Sequence, residues 1–299
     1  MMENPNGYAN PQLLVGPREL AGELEDQSRR PTLVDLRPAE LFAQGHLRHA
    51  VHLDLFGVSL TDTNPAPLKS FLWMIEHLLA TRGVSADRPV VVYDSDSGIR
   101  AARAFWFLEL FGHPNVRLLD GGVRAWTAAG LQLTSESNAP AETSWTGERR
   151  AEVLATWCDV ANRLDRSDVA ILDTRTDGEY CGTTVRAARS GAIPGAIHIE
   201  WTRNLGPDGA FKPAAELTAM YAEAGITPDR EVVSYCQGGY RAAHSYLALR
   251  LLGYPRLRSY LGSWREWGDR DDLPIEKPRT REIENSRNRE IENSRRMPS

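Results

Sequence analysis

Two kinds of apolar periodicity alternate along this chain. Short runs of β-branched and aromatic residues, such as Val232, Val233 and Tyr235, read as buried strands. Between such runs, apolar residues recur at steps of three and four, as at Ala242, Tyr246, Leu249 and Leu252, which is the spacing of a helix face. The order strand, helix, strand, helical segment, strand, helix, strand and final turn occurs twice. Strands alternating with helices predict parallel βαβ units. The pattern therefore predicts an α/β protein with two open parallel sheets, each flanked by helices.

The two halves are copies of one unit. VVYDSDSGIRAARAF from Val91 parallels VVSYCQGGYRAAHSY from Val232, and FGHPNVRLLDGGVRAW from Phe111 parallels LGYPRLRSYLGSWREW from Leu252. Both pairs share a displacement of 141 positions, so Ser95 faces Cys236 and Arg100 faces Arg241. A constant shift of this extent marks a duplicated domain. Upstream, TLVDLRPAELF from Thr32 parallels AILDTRTDGEY from Ala170, which sets Asp35 against Asp173 and Arg37 against Arg175. The second unit carries extra residues within CGTTVRAARSG. The expected domains are residues 15–132 and 151–276. Residues 133–150, rich in Ser, Thr, Pro and Glu, read as an exposed linker. Residues 277–299, with REIENSRN followed by REIENSRR, read as a disordered polar tail.

The chemistry concentrates where the second unit's central strand turns into a helix. The loop is Cys236, Gln237, Gly238, Gly239, Tyr240 and Arg241. Two glycines let the backbone curl, and a curled loop points several N–H groups at one centre. The helix that follows adds the positive end of its dipole. A cysteine at the mouth of that nest is expected to ionise easily, and Arg241 adds a permanent positive charge. Gln237, Gly238, Gly239 and Tyr240 complete an anion cradle around a sulfur nucleophile.

Loop and spacing resemble the active-site loop of the rhodanese family of sulfurtransferases. Four residues separate Cys236 from Arg241, one fewer than in the tyrosine phosphatases. The downstream run Leu261, Gly262, Ser263, Trp264, Arg265, Glu266, Trp267 is similar to that family's C-terminal signature. The resemblance spans about residues 15–275 as two tandem rhodanese-like domains. It implies transfer of sulfane sulfur from a small anionic donor to a thiol or cyanide through a cysteine persulfide. It implies neither a cofactor nor a metal. It also implies a silent first domain, where Ser95 replaces the cysteine beside Asp94 and Asp96. Asp173 and Arg175 lie near the loop in the family. Arg175 is expected to contact the donor or to form an internal ion pair with Asp173. Arg241 at the last loop position fits the thiosulfate branch better than the mercaptopyruvate branch, whose loop typically reads Cys-Gly-Ser/Ala-Gly-Val-Thr. Glu179, Gln237 and Gly238 depart from relatives that place basic residues there. Arg186 and Arg189 in the insertion read as compensating charges or as a solvated basic face.

The remaining features narrow the class. A formal charge of −5 and the absence of basic residues interleaved with aromatics argue against nucleic acid. No apolar run reaches the length of a membrane span. The N-terminus has no secretory pattern, and three cysteines are too few for a disulfide framework. These features predict a reducing cytoplasm. Cys158 reads as core and Cys181 as packing. The tryptophans read as core and domain interface. His46, His49 and His52 point in different directions along a loop-to-strand path and do not make a metal site.

Overall fold

Valine-rich runs form the centres of two parallel sheets. The computed structural model describes residues 4–28, 30–137, 139–145 and 147–278. In the first half, β1 (Leu14–Val15), α1 (Pro17–Glu25), β2 (Thr32–Asp35), α2 (Ala39–Gln44), β3 (Val51–His52), α3 (Pro65–Ala80), β4 (Val90–Tyr93), α4 (Ile99–Leu110), β5 (Val116–Leu119) and α5 (Gly122–Ala128) follow in order. The second half repeats them as β6 (Leu154–Ala155), α6 (Trp157–Ala161), β7 (Val169–Asp173), α7 (Asp177–Tyr180), β8 (Ile197–His198), α8 (Ala214–Glu223), β9 (Glu231–Tyr235), α9 (Tyr240–Leu251), β10 (Leu257–Tyr260) and α10 (Ser263–Trp267).

The sheet orders are β1-β5-β4-β2-β3 and β6-β10-β9-β7-β8, and every pairing is parallel. β4 and β9 are therefore the central strands. All of β4 is buried, and so is β9 after Glu231. Burial on both faces explains why these strands read as continuous apolar runs rather than alternating ones. In open sheets of this kind, ligands sit beyond the carboxyl ends of the strands. Cys236 lies directly past the end of β9.

Two features departed from the sequence pattern. The edge strands β1 and β6 have two residues each, too few to show a period, and only their pairing to β5 and β10 defines them. Helix α9 begins at Tyr240, so Arg241 lies in its first turn rather than ahead of it.

The halves are joined by a shared core. Helices α4 and α9 pack on each other across the boundary. Ala101 to Leu110 are all buried in α4, and most of α9 is buried as well. A helix buried all round has no polar face to show, which matches the run of apolar residues in α4. The described residues between 133 and 150 are tied to the first domain. Thr134 bridges His46, the Trp145 indole N–H donates to the Phe111 carbonyl, and Arg149 pairs with Glu76. The polar tail from residue 279 onward lies outside the described residues. Among the described residues, no helix is long and apolar enough to cross a membrane.

Candidate active site

The loop after β9 owes its shape to two glycines and to α10. Gly239 has φ of +87°, in the left-handed region, and a Cβ there would stand 3.2 Å from the Leu261 carbonyl oxygen. A Cβ on Gly238 would meet Ser59 Oγ of the first domain at 3.2 Å. Helix α10 binds the outside of the loop. The Trp264 N–H donates to the Cys236 carbonyl at 2.8 Å, and the Arg265 N–H donates to the Gln237 carbonyl at 3.0 Å. Ser263 Oγ accepts the Cys236 N–H at 3.2 Å and donates to the Tyr260 carbonyl. With the carbonyls drawn outward, N–H groups turn inward. The Gly239 N–H donates to Cys236 Sγ at 3.1 Å.

Cys236 is only 1% exposed, yet the amides face its sulfur. Burial pushes the thiol pKa up. The charge of Arg241 and the amides of Ala242, Gly238 and Gly239 outweigh that, and the pKa falls below the ordinary 9.0. Arg241 is itself held by Glu179, with contacts of 2.6 and 2.9 Å. Burial works against the Arg241 charge, but Glu179 and the Cys236 thiolate keep its pKa above the usual range. Burial raises the Glu179 pKa, and Arg241 with Thr176 brings it down to about 2. The Thr176 hydroxyl and N–H also donate to Glu179 in a capping box at the start of α7.

The other expected site residues have the following places. Gln237 Nε2 donates to the Arg186 carbonyl in the insertion, and its Oε1 is buried without a partner among the described residues. The Tyr240 hydroxyl donates to the carbonyls of Leu55 and Val58, so this side chain docks the loop onto the first domain. Arg175 is 1% exposed. Its guanidinium spans both Asp173 oxygens, donates to the Gly191 carbonyl and lies over the Trp264 ring. Asp173 also accepts the Tyr235 hydroxyl. Burial raises the Asp173 pKa, and Arg175 more than reverses this. The same pair recurs in the first domain, where Arg37 spans Asp35 and donates to the Gly45 carbonyl. Arg186 is well exposed and approaches Glu179 to 3.6 Å. Arg189 is not part of a solvated face. It binds the carbonyls of Trp267, Gly268, Arg270 and Leu273.

Two readings of individual side chains are corrected. Cys158 is exposed rather than core, because five-residue α6 turns only Val160 fully inward. Trp73 is 63% exposed and stacks on His77.

The matching loop of the first domain carries its own anion. Asp94 accepts the Ser95 N–H at 2.8 Å and the Arg100 N–H at 3.1 Å. The Gly98 N–H, which corresponds to that of Gly239, donates to the Asp96 carbonyl. Amides that could face a sulfur are already occupied.

The pattern of the rhodanese-like domain matches residues 17–129 and 156–270. This chain belongs to the rhodanese family. It is 36% identical over 272 residues to a thiosulfate sulfurtransferase of Pseudomonas aeruginosa, covering 90% of this chain and 98% of the relative. It is 36% identical over 270 residues to a thiosulfate sulfurtransferase of Azotobacter vinelandii, covering 90% and 98%. It is also 35% identical over 286 residues to the sulfur carrier protein TtuD of Thermus thermophilus, covering 91% and 99%. Among solved structures, an anaerobic ergothioneine biosynthesis enzyme from Chlorobium limicola shares the fold, with a TM-score of 0.78 at 22% identity, over 91% of this chain and 72% of that one.

Sequence reasoning did not find all of this rhodanese site. Glu179 was noted only as a departure from basic relatives, and its grip on Arg241 needs the tertiary fold. Glu266 lies in the C-terminal signature and reaches across the domain boundary to the Thr63 hydroxyl and N–H. Arg103 of α4 was also missed. Its signal was present, as one arginine inside the apolar run from Ala101 to Leu108.

Proposed function

We propose that this chain is a sulfurtransferase that moves sulfane sulfur from thiosulfate to a thiophilic acceptor, cyanide or a thiol, with Cys236 as the carrier. The Cys236 thiolate attacks the outer sulfur of thiosulfate. The S–S bond of the donor breaks, sulfite leaves with the electron pair, and Cys236 becomes a persulfide. The acceptor then attacks the terminal sulfur and the thiolate is regenerated. Loop N–H groups and Arg241 stabilise negative charge in both half-reactions. Arg175, closed onto Asp173, supports the loop in this reading instead of touching the donor. A free thiolate of this kind suits the reducing cytoplasm.

The observation that carries the reading is the Gly239 N–H aimed at a buried, easily ionised Sγ. The names of the two bacterial relatives support thiosulfate as donor. The test is Cys236→Ser, expected to fold normally, to lose turnover and to gain no sulfur by mass after thiosulfate treatment. Full activity in that variant would end the assignment. Turnover with mercaptopyruvate in place of thiosulfate separates the two donor classes. A sulfur carrier of low turnover is a second reading, favoured by the similarity to the Thermus protein. Stable loading of one sulfur without release to small thiols would support it.

A further inference from the structure

Arg103 is the one charged side chain in the middle of the buried α4 run, and it belongs to the domain that lacks the cysteine. It is 1% exposed. Its Nη1 donates to the Gly238 carbonyl at 3.0 Å. The guanidinium lies 3.8 Å from the centre of the Tyr240 ring and 5.3 Å from that of Phe107. Its Nε and Nη2 have no hydrogen-bond partner among the described residues. A buried cation without a carboxylate is costly to keep. Burial pulls its pKa down, and its interactions with Tyr240 and with the Cys236 thiolate act against that.

The Gly238 carbonyl and the Gly239 N–H are two ends of one peptide group. One end receives the Arg103 cation, and the other donates to Cys236 Sγ at 3.1 Å. A cation on the carbonyl oxygen draws electron density toward it and makes the N–H a stronger donor, because hydrogen bonds in a chain polarise one another.

The duplication supplies a comparison within the same molecule. Arg103 and His244 are equivalent under the shift of 141, as are Gly238 and Ser97. His244 Nε2 donates to the Ser97 carbonyl at 2.8 Å, the mirror of the Arg103 contact. Each domain thus sends one side chain into the other's loop. The first domain's loop receives a neutral imidazole, since burial pulls the His244 pKa down to about 4. There the polarised peptide ends on the Asp96 carbonyl. The cation is matched only to the loop whose peptide ends on sulfur.

We infer that Arg103 is a positioning residue for sulfur transfer, stabilising the Cys236 thiolate and persulfide through the Gly238–Gly239 peptide. The silent domain then contributes electrostatics to the working one. This rests on Cys236 being the sulfur carrier. Among the described residues, the charged groups facing the loop include Arg241 on its own helix, Glu179 on α7 held by Arg241, Arg186 of the insertion 3.6 Å from Glu179, the closed Asp173–Arg175 pair after β7, and Arg103 on α4.

The test measures the ionisation of Cys236 without requiring turnover. In a Cys158→Ser, Cys181→Ser background, iodoacetamide alkylation at Cys236 is followed by mass across pH. R103Q is expected to raise the midpoint by about one pH unit. R103K, which keeps the charge on a different geometry, is expected to fall between wild type and R103Q. H244Q, an equally buried change at the equivalent contact, is expected to leave the midpoint where it is. An unshifted midpoint in folded R103Q overturns the inference. So does an equal shift in H244Q, which would mean general loosening of the interface. If R103Q does not fold, R103K decides, and a midpoint identical to wild type overturns it. Failure here leaves Cys236→Ser free to lose turnover, so the two readings fail separately.

Discussion

Glu179 and Arg241 form a two-point ion pair beside the candidate nucleophile, with contacts of 2.6 and 2.9 Å. The pair sets both the stability of α7 and the charge felt by Cys236. In Glu179→Gln the shape is kept and the anion is lost. Hydrogen bonds to charged groups are worth about 1.5–3 kcal/mol, and a loss of this order is expected in urea unfolding. Arg241 is no longer offset by a carboxylate, so the alkylation midpoint of Cys236 is expected to move down. Stability unchanged within error would show that the pair carries little of the fold.

His244 makes stability depend on pH through the domain boundary. Its folded pKa is depressed from 6.5 to about 4 because the ring is buried, and the bond to the Ser97 carbonyl only partly offsets that. Between those values the unfolded chain binds a proton that the folded chain does not. The His244 contribution is therefore fully present above pH 6.5 and declines as pH falls toward 4. Urea midpoints measured across this window should slope more steeply in wild type than in His244→Gln. Identical slopes would contradict the burial of a neutral imidazole there.

Ser95→Cys is expected not to create a second sulfur site. The Asp94 carboxylate already takes the Ser95 and Arg100 N–H groups, and the Gly98 N–H is spent on a carbonyl. A thiol placed there meets a fixed negative charge instead of inward amides, which raises its pKa. The check is intact mass of the Ser95→Cys, Cys236→Ser variant after thiosulfate treatment. One added sulfur on residue 95 would overturn the account of the silent loop.

Much of the fold was legible because it depends on local pattern. The apolar runs at Val90–Tyr93 and Val232–Tyr235 survive as central strands, since a strand buried on both faces has little choice of residue. The two-residue edge strands β1 and β6 left no such trace. At the site, the Cys236 loop was readable from its glycines and its spacing. Arg175 was readable only as two alternatives, because an Asp-x-Arg spacing is the same whether the arginine faces a donor or closes onto the aspartate. Burial at 1% and three guanidinium bonds to Asp173 define its surroundings.

The sequence by itself determined a doubled α/β unit and a cysteine at the head of a glycine loop, since periodicity and backbone sterics act over a few neighbouring residues. Only the tertiary structure decided which charges reach that cysteine. Glu179 lies far from Arg241 in sequence, and Arg103 lies in the other domain from Gly238. The Arg103 contact exists because α4 and α9 pack together across the duplicated halves, and the Glu179 contact because β7 and β9 are neighbours in the second sheet; no short stretch of chain records either packing.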